Sequence, residues 1–371
     1  MQIAIAHDFL AQMGGAEKVV EVLHSMYPEA PIYTSVFIPE VMPSYYREWD
    51  IRTSFLQRLP FLHKTHRMAL PLYPMAFESF DMSGYDLVIS SSSAFAKGVM
   101  THQDTVHICY THTPMRYGWN AHAYLEREQI SAPMSKILSP ALHYLRVWDA
   151  VASMRVDGYI ANSQIVADRI KKFYRRDSKI IYPPVNTSRF QIAPSDEIGD
   201  YYLIAARFVP YKRLDLAIEA CTRLKRPLKV SGSGRQEAYL KSIAGPTVEF
   251  LGRVSDEELI GLMSRARAYL MPGQEDFGIS PVESNACGRP VIAYGAGGAL
   301  DSQLDGVTGI LFYEQTADSL VDAICRSESI QFDPQIIRSS AMRFDTEVFK
   351  SSIRNAVDDL MRPRRSLDSK E

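Results

Sequence analysis

Four charged side chains could carry chemistry on type and spacing alone. Glu275 and Glu283 lie eight residues apart in Met271-Pro272-Gly273-Gln274-Glu275-Asp276-Phe277-Gly278-Ile279-Ser280-Pro281-Val282-Glu283, and Arg207 and Lys212 lie five apart in AARFVPYKRLD. Ionised carboxylates accept hydrogen bonds from hydroxyl groups. Two cations at the end of a strand would neutralise a diphosphate, and would stabilise charge that grows on a phosphate as a bond to it breaks. Spacing by itself decides little. Glu283 could equally cap a helix, Glu275 decorate a loop, and an Arg/Lys pair sit on the surface.

The elements that must position these residues are readable as hydrophobic runs and turn signals. Ala268–Met271 reads as a strand, followed by a glycine-containing loop and a short helix over Pro281–Cys287. Ser280 as N-cap, Pro281 as first helical residue and Glu283 as third would form a capping box with a proline start. Gly288 would end the helix and Pro290 prevent its return. The helix start would then face the carboxyl end of a sheet, where open α/β folds bind ligands. Arg207 and Lys212 follow a strand at Tyr201–Ala205 and precede a helix at Arg213–Leu224; Arg213 itself is given no role. Other strands are expected at Leu228–Ser231, Val248–Phe250 and Val291–Ala293, with helices at Arg235–Ser242 and Asp256–Arg265.

The N-terminal half shows the same alternation. Gln2–His7 is a buried-strand pattern, Gly14-Gly15 follows, and an amphipathic helix runs to about Ser25. Further strands are expected at Leu87–Ser90, Val106–Tyr110, Gly158–Asn162 and Lys179–Ile181, with helices at Ser135–Val156 and Gln164–Phe173. Strands alternating with helices imply parallel sheets. Tyr182-Pro183-Pro184-Val185-Asn186 breaks both helix and strand and marks a hinge. The expected domains are 1–184 and 185–345, with a helix at 346–361 packing back on the first through Val348, Phe349, Ile353, Val357 and Leu360. Asp345 could cap that helix, and Arg362–Glu371 reads as frayed. A cleft between two such domains is a usual ligand site.

Composition narrows the class. The chain has 371 residues and a formal charge of −2, which suits two domains and gives no global attraction to nucleic acid. Cys109, Cys221, Cys287 and Cys325 form no CxxC pair, which argues against a zinc site and fits a reducing compartment. The N-terminus lacks a signal-peptide pattern, and no run of 18 apolar residues occurs. The expected location is therefore cytoplasmic, at most peripheral on the inner face of the cell membrane. Residues 51–77 carry Arg52, Arg58, Lys64 and Arg67, no acid, and interleaved Phe55, Leu56, Leu59, Phe61, Leu62, Met68 and Leu70. That mixture fits either an element lying on an anionic membrane surface or a domain helix with a solvated basic face.

With Glu275-x7-Glu283, Phe277-Gly278-Ile279 inside it and the tail Asn285-Ala286-Cys287-Gly288-Arg289-Pro290-Val291-Ile292-Ala293, the sequence resembles glycosyltransferase family 4. The resemblance spans essentially the whole chain and is strongest from Tyr201 to Leu311. It implies the α/β GT-B fold, two Rossmann-like domains with parallel sheets facing a cleft, and retention of anomeric configuration. It further implies that Arg207 and Lys212 bind the donor diphosphate, Glu275 the donor sugar and Glu283 the ribose. The backbone of Phe277, Gly278 and Ile279 would hold sugar hydroxyls and phosphate. Gly14 and Gly15 would lie over the diphosphate, Gly232 in a turn beside the donor, and Arg253 and Val254 against the nucleobase. His112, in CYTHTPMRYGWN, matches a histidine that contacts the donor sugar beside the reacting carbon. Arg116, Tyr117 and Trp119 could shape the acceptor pocket, and His7 and Asp8 could also face the cleft.

The chain contains no Asp-x-Asp, so no obligatory metal or other cofactor is expected; the nucleotide-diphosphate sugar is a substrate. HDFL…GGAEKVV and YTHTPMRYGW look most like bacterial mannosyltransferases of O-antigen or exopolysaccharide assembly. This suggests GDP-mannose as donor and a glycan or polyprenyl-diphosphate-linked acceptor, with UDP-sugars as the alternative. Two other classes compete. A sugar-nucleotide oxidoreductase or epimerase would want GxGxxG after the first strand and a Tyr-x-x-x-Lys pair, neither of which the motif regions supply. An inactive nucleotide-binding protein would not be expected to keep His112, Arg207, Lys212, Glu275 and Glu283 together.

Overall fold

The structure is a computed structural model that describes residues 1–59, 70–121 and 132–368. It divides into two compact units, residues 1–184 with 349–371, and residues 185–348.

In the first unit the strands are β1 Ile3–His7, β2 Ile32–Thr34, β3 Ile51–Thr53, β4 Leu87–Ser92, β5 Val106–Thr111, β6 Gly158–Ala161 and β7 Ser178–Ile180. They form one parallel sheet in the order β3-β2-β1-β4-β5-β6-β7. β4 and β5 are buried along their whole length, as a parallel sheet covered on both faces requires. The chain winds outward from β1 to β3, then returns to place β4 on the other side of β1. That reversal is a topological switch point, the place where open α/β sheets leave a crevice at the strands' carboxyl ends. Register brings His7 level with Ser91 and Ser92 level with Thr111, so His112 follows directly at that edge.

The second unit repeats the design with β8 Tyr202–Ala205, β9 Leu228–Ser231, β10 Val248–Gly252, β11 Ala268–Met271, β12 Val291–Tyr294 and β13 Gly309–Phe312. The order is β10-β9-β8-β11-β12-β13, again parallel, with the switch point between β8 and β11. Apolar faces of the helices Leu214–Leu224 and Ala317–Glu328 pack on it through Leu214, Ala217, Ile218, Leu320 and Ile324.

Three differences from the sequence reading have clear physical causes. β2, β3 and β13 are not among the expected strands. The first two are only three residues long, too short for a periodic signal. β13 opens with Gly309, where a Cβ would lie 1.8 Å from the Val291 carbonyl oxygen; the residue that permits close strand approach reads in sequence as a turn. The C-terminal helix runs over Thr346–Asp368 rather than ending at 361. It contributes Phe349, Ile353, Ala356, Val357 and Met361 to the core of the first unit, while Val348 is exposed. Asp345 accepts the Glu347 amide at 2.9 Å, as expected of a cap.

Candidate active site

The second unit gathers its candidate residues at one edge. Arg207 leaves β8, and Lys212 closes a 3-10 turn over Pro210–Lys212. Glu275 lies in the loop leaving β11, across the switch point. Lys212 Nζ and Glu275 Oε1 are 2.6 Å apart, a close ion pair. Burial pulls the Lys212 ammonium down, but the Glu275 charge and hydrogen bond, with nearby tyrosines, more than offset it, so its pKa is raised. The Lys212 ammonium is therefore held charged beside Glu275.

Glycines allow this approach. A Cβ on Gly273 would stand 2.5 Å from the Tyr211 carbonyl oxygen and 2.7 Å from Lys212 Cα, so only glycine lets the two loops meet. On the far side, Gly298 donates its amide to the Glu275 carbonyl at 3.0 Å. A Cβ on Gly297 would lie 2.2 Å from that same oxygen. Glu275 is thus clamped by its backbone while its side chain faces Lys212.

The capping box expected at Ser280 is not formed. The helix begins earlier and spans Ile279–Ala286, with Gly278 as N-cap at φ +87° and no side-chain cap. A left-handed glycine turns the chain straight from the loop into the helix, which places Ser280 second and Pro281 third. Glu283 is fifth and buried rather than third. Its charge instead acts on Tyr269, whose hydroxyl donates to the Ala205 carbonyl at 2.8 Å and accepts from the Ala205 amide at 3.3 Å. Burial pushes the Tyr269 pKa up, Lys212 opposes this, and Glu283 adds to it. Tyr269 therefore ties β11 to the end of β8 beneath Lys212. It was not a candidate from sequence, where it reads as a strand aromatic. The Phe277 ring is buried edge-on against Phe344 at 5.4 Å, leaving its backbone as the part that could serve a ligand.

Other residues of the unit reach the same edge. A Cβ on Gly232 would lie 1.9 Å from the Ala206 carbonyl oxygen, and its amide donates to the Gly252 carbonyl at 2.7 Å. Arg253 Nε donates to Ser233 Oγ at 3.0 Å, with Val254 beside it in sequence. Arg207 is exposed and donates to the Tyr211 hydroxyl at 3.3 Å. Arg213 pairs with Asp215 instead.

In the first unit, His112 is buried at the carboxyl end of β5. Its Nε2 is 2.8 Å from Ser91 Oγ. Gly14 is the extended N-cap of the helix Gly15–Met26. Asp8 does not present its carboxylate to a ligand. It accepts the amides of Ser93, Ala94, Phe95 and Ala96 at 2.6 to 3.0 Å, a structural role that sequence could not reveal because its partners lie 85 or more residues away. Trp119 is likewise used by the fold. Its Nε1 donates to the buried Asp149 at 2.7 Å and its ring stacks on Phe173 at 4.9 Å, so the face expected to stack on a sugar has a protein partner. Asp149 also pairs with the buried Lys97. Arg116 and Tyr117 are half-buried on the same short helix, Tyr117 near the Phe95 ring.

Within 51–77, Leu56, Tyr73 and Phe77 are core residues, and Leu59 and Leu70 pack against them. Arg52 is held by Asp50 and the Tyr33 and Tyr85 hydroxyls. Phe61, Leu62, Lys64, Arg67 and Met68 lie outside the described residues. Among the described residues no helix is long and apolar enough to cross a membrane, and no His/Cys/Asp/Glu group could hold a metal ion.

Family models match both units of the chain. The family model described as Glycosyltransferase Family 4 matches residues 13–189, and that described as Glycosyl transferases group 1 matches residues 186–341. An uncharacterised glycosyltransferase of Methanocaldococcus jannaschii is 26% identical over 178 residues, 47% of this chain and 50% of that protein. A GDP-mannose-dependent monoacylated alpha-(1-6)-phosphatidylinositol monomannoside mannosyltransferase of Corynebacterium glutamicum is 33% identical over 135 residues, 32% of this chain and 35% of that protein. The chain thus spans half or less of the length of these curated relatives. The crystal structure of Anabaena HepE in complex with UDP-glucose superposes with a TM-score of 0.70 at 19% identity, covering 97% of this chain and 100% of that one. With two parallel doubly wound sheets in the GT-B manner, a Family 4 domain in its first unit and a group 1 domain in its second, the chain belongs to the glycosyltransferases.

Proposed function

We propose that the protein is a retaining hexosyltransferase that moves mannose from GDP-mannose to a lipid-linked or oligosaccharide acceptor in bacterial cell-surface polysaccharide synthesis. The observation that carries this reading is the Lys212–Glu275 ion pair at the switch point of the second sheet. A cation and a carboxylate side by side suit the two halves of a sugar diphosphate. Lys212, with Arg207, neutralises the phosphates, and Glu275 accepts sugar hydroxyls. The start of the helix at Ile279 offers amides to the same anion, while Glu283 binds the ribose.

No carboxylate is assigned as a nucleophile. Attack on the same face as the leaving group, with the departing phosphate oxygen taking the acceptor's proton, needs only orientation and leaving-group stabilisation. The donor assignment leans on the GDP-mannose-dependent relative. A UDP-sugar is the second reading, favoured by the likeness to the UDP-glucose complex.

The lipid-linked acceptor is supported by the helix Ala132–Met154. It exposes Tyr144, Val147, Val151 and Met154 at successive spacings of three, four and three. Its one acid, Asp149, is buried, and its cations are Lys136 and Arg146. An apolar face bordered by cations and free of exposed acids fits an anionic bilayer surface, together with the outward-facing Phe55 and Arg58 of the 51–77 stretch. Calorimetric titration with GDP, UDP and NAD tests the donor class. Binding of GDP is expected, and binding of NAD without either of the other two would contradict the proposal.

A further inference from the structure

Behind His112 lies a continuous line of polar groups that the proposed transfer chemistry does not use. Glu17 Oε1 is 3.7 Å from His7 Nε2, and both side chains are almost wholly buried. His7 Nδ1 is 3.1 Å from the Ser91 carbonyl oxygen and 3.2 Å from Ser91 Oγ. Ser91 Oγ is in turn 2.8 Å from His112 Nε2. The register of β1 on β4 sets His7 opposite Ser91, and Glu17 stands in the first turn of the following helix. Gly14 leaves room for this carboxylate, since a Cβ there would approach Glu17 Oε2 to 3.0 Å.

The line has a direction. A carbonyl oxygen only accepts, so His7 Nδ1 must carry a proton and donate toward Ser91. Ser91 Oγ is then on the receiving side of His7, and His112 Nε2 is its remaining partner. A buried hydroxyl hydrogen needs an acceptor, and of the two ring nitrogens beside Ser91 Oγ only His112 Nε2 can supply one, so the hydroxyl donates to His112 Nε2. A neutral imidazole that accepts at Nε2 carries its proton on Nδ1. The Glu17 carboxylate facing His7 Nε2 favours imidazolium, which strengthens each donation down the line. Asp8, the next residue, adds a second negative charge near the same ring, and burial opposes both; the net is a raised His7 pKa.

We infer that Glu17, His7 and Ser91 are positioning residues that lock His112 as the Nδ1–H tautomer, so that His112 meets its ligand as a hydrogen-bond donor and not as a base through Nε2. An imidazole Nδ1–H suits a sugar hydroxyl or phosphate oxygen as acceptor. The consequence for turnover rests on the proposed sugar contact of His112, whereas the tautomer does not.

The test reads both separately. Long-range proton–nitrogen NMR of the full-length, nitrogen-15-labelled protein near neutral pH is expected to show His112 bare at Nε2 and protonated at Nδ1, with the signals assigned by their loss in His112→Gln. Ser91→Ala is expected to convert His112 to a mixture of tautomers and to lower kcat roughly tenfold, with a smaller change in the donor KM. Ser91→Thr, which keeps a hydroxyl, is expected to restore the wild-type nitrogen pattern. A wild-type His112 protonated at Nε2, or a tautomer unmoved by Ser91→Ala, would overturn the inference whether or not any donor is turned over. If the variants do not fold, the wild-type spectrum alone decides. A locked tautomer in a protein inactive on every sugar nucleotide would leave this inference standing and remove the transfer proposal.

Discussion

Lys212 and Glu275 reach each other across the break between β8 and β11, 2.6 Å apart. Neither is an independent surface charge: Gly273 lets the Glu275 loop close on Lys212, and the Glu275 charge helps to raise the Lys212 pKa. Removing either leaves its partner partly buried without a counter-charge, and removes one of the two contacts proposed for the donor. Lys212→Ala and Glu275→Ala are each expected to lower turnover by about 10³-fold or more in a folded protein. Donor turnover measured beside circular dichroism melting checks this. Near-normal rates in either variant would refute the site assignment.

Gly273 is the contact that lets the two loops approach. In Gly273→Ala the new methyl would sit against the Tyr211 carbonyl and Lys212 Cα, backbone atoms that cannot move aside cheaply. A loss of about 1 to 3 kcal/mol in stability is expected, with weaker nucleotide binding as Lys212 is displaced. Urea denaturation and nucleotide calorimetry measure the two effects. An unchanged affinity would mean that Lys212 is not held in place by this contact.

Asp8 accepts four consecutive amides from Ser93 to Ala96. Asp8→Ala leaves those donors without their acceptor and should cost about 3 kcal/mol or more. Asp8→Asn, which keeps one carbonyl oxygen, should cost less. Chemical denaturation gives the order. Equal stability of Asp8→Ala and wild type would contradict the structural role given to this carboxylate.

The membrane contact proposed for the helix Ala132–Met154 predicts that Val147→Glu with Val151→Glu abolishes co-sedimentation with anionic vesicles while leaving folding intact. Both residues are about half exposed, so no core packing is lost. Retained binding to such vesicles would rule out this face as the contact.

The His7–Glu17 pair predicts a pH-dependent stability. His7 has a folded pKa raised above its ordinary 6.5. The pair's contribution is fully present below about 6.5 and is lost as pH rises through the folded value. The melting temperature of wild type should therefore exceed that of Glu17→Gln most near pH 6, with the difference shrinking toward pH 9. A difference that is constant across this range would show that His7 does not titrate against Glu17.

Sequence made the architecture legible where a strand is a continuous apolar run, as in Ile3–His7, Leu228–Ser231 and Ala268–Met271. It also made legible the charged residues that cluster at the second sheet's edge, because they follow strands closely in sequence. What stayed hidden depends on contacts between distant segments. Asp8 looked like a site residue because it ends β1, yet its partners come from the loop after β4. Trp119 looked free to stack on a ligand, yet Phe173 and Asp149 occupy it. The capping box failed for a local reason: Gly278 can take a positive φ, so the helix starts without needing Ser280. Tyr269 and Ser91 were invisible because what an ordinary strand residue bonds to is set by its neighbour across the sheet.

The central claim is that this chain transfers a sugar from a nucleotide diphosphate through the Lys212–Glu275 edge. The measurement that tests it most directly is nucleotide release from a panel of sugar nucleotides by wild type and Glu275→Ala side by side. GDP-mannose is expected to be consumed by wild type and not by Glu275→Ala. Absence of release from every GDP- and UDP-sugar by folded wild-type protein, or equal release by Glu275→Ala, would contradict the account.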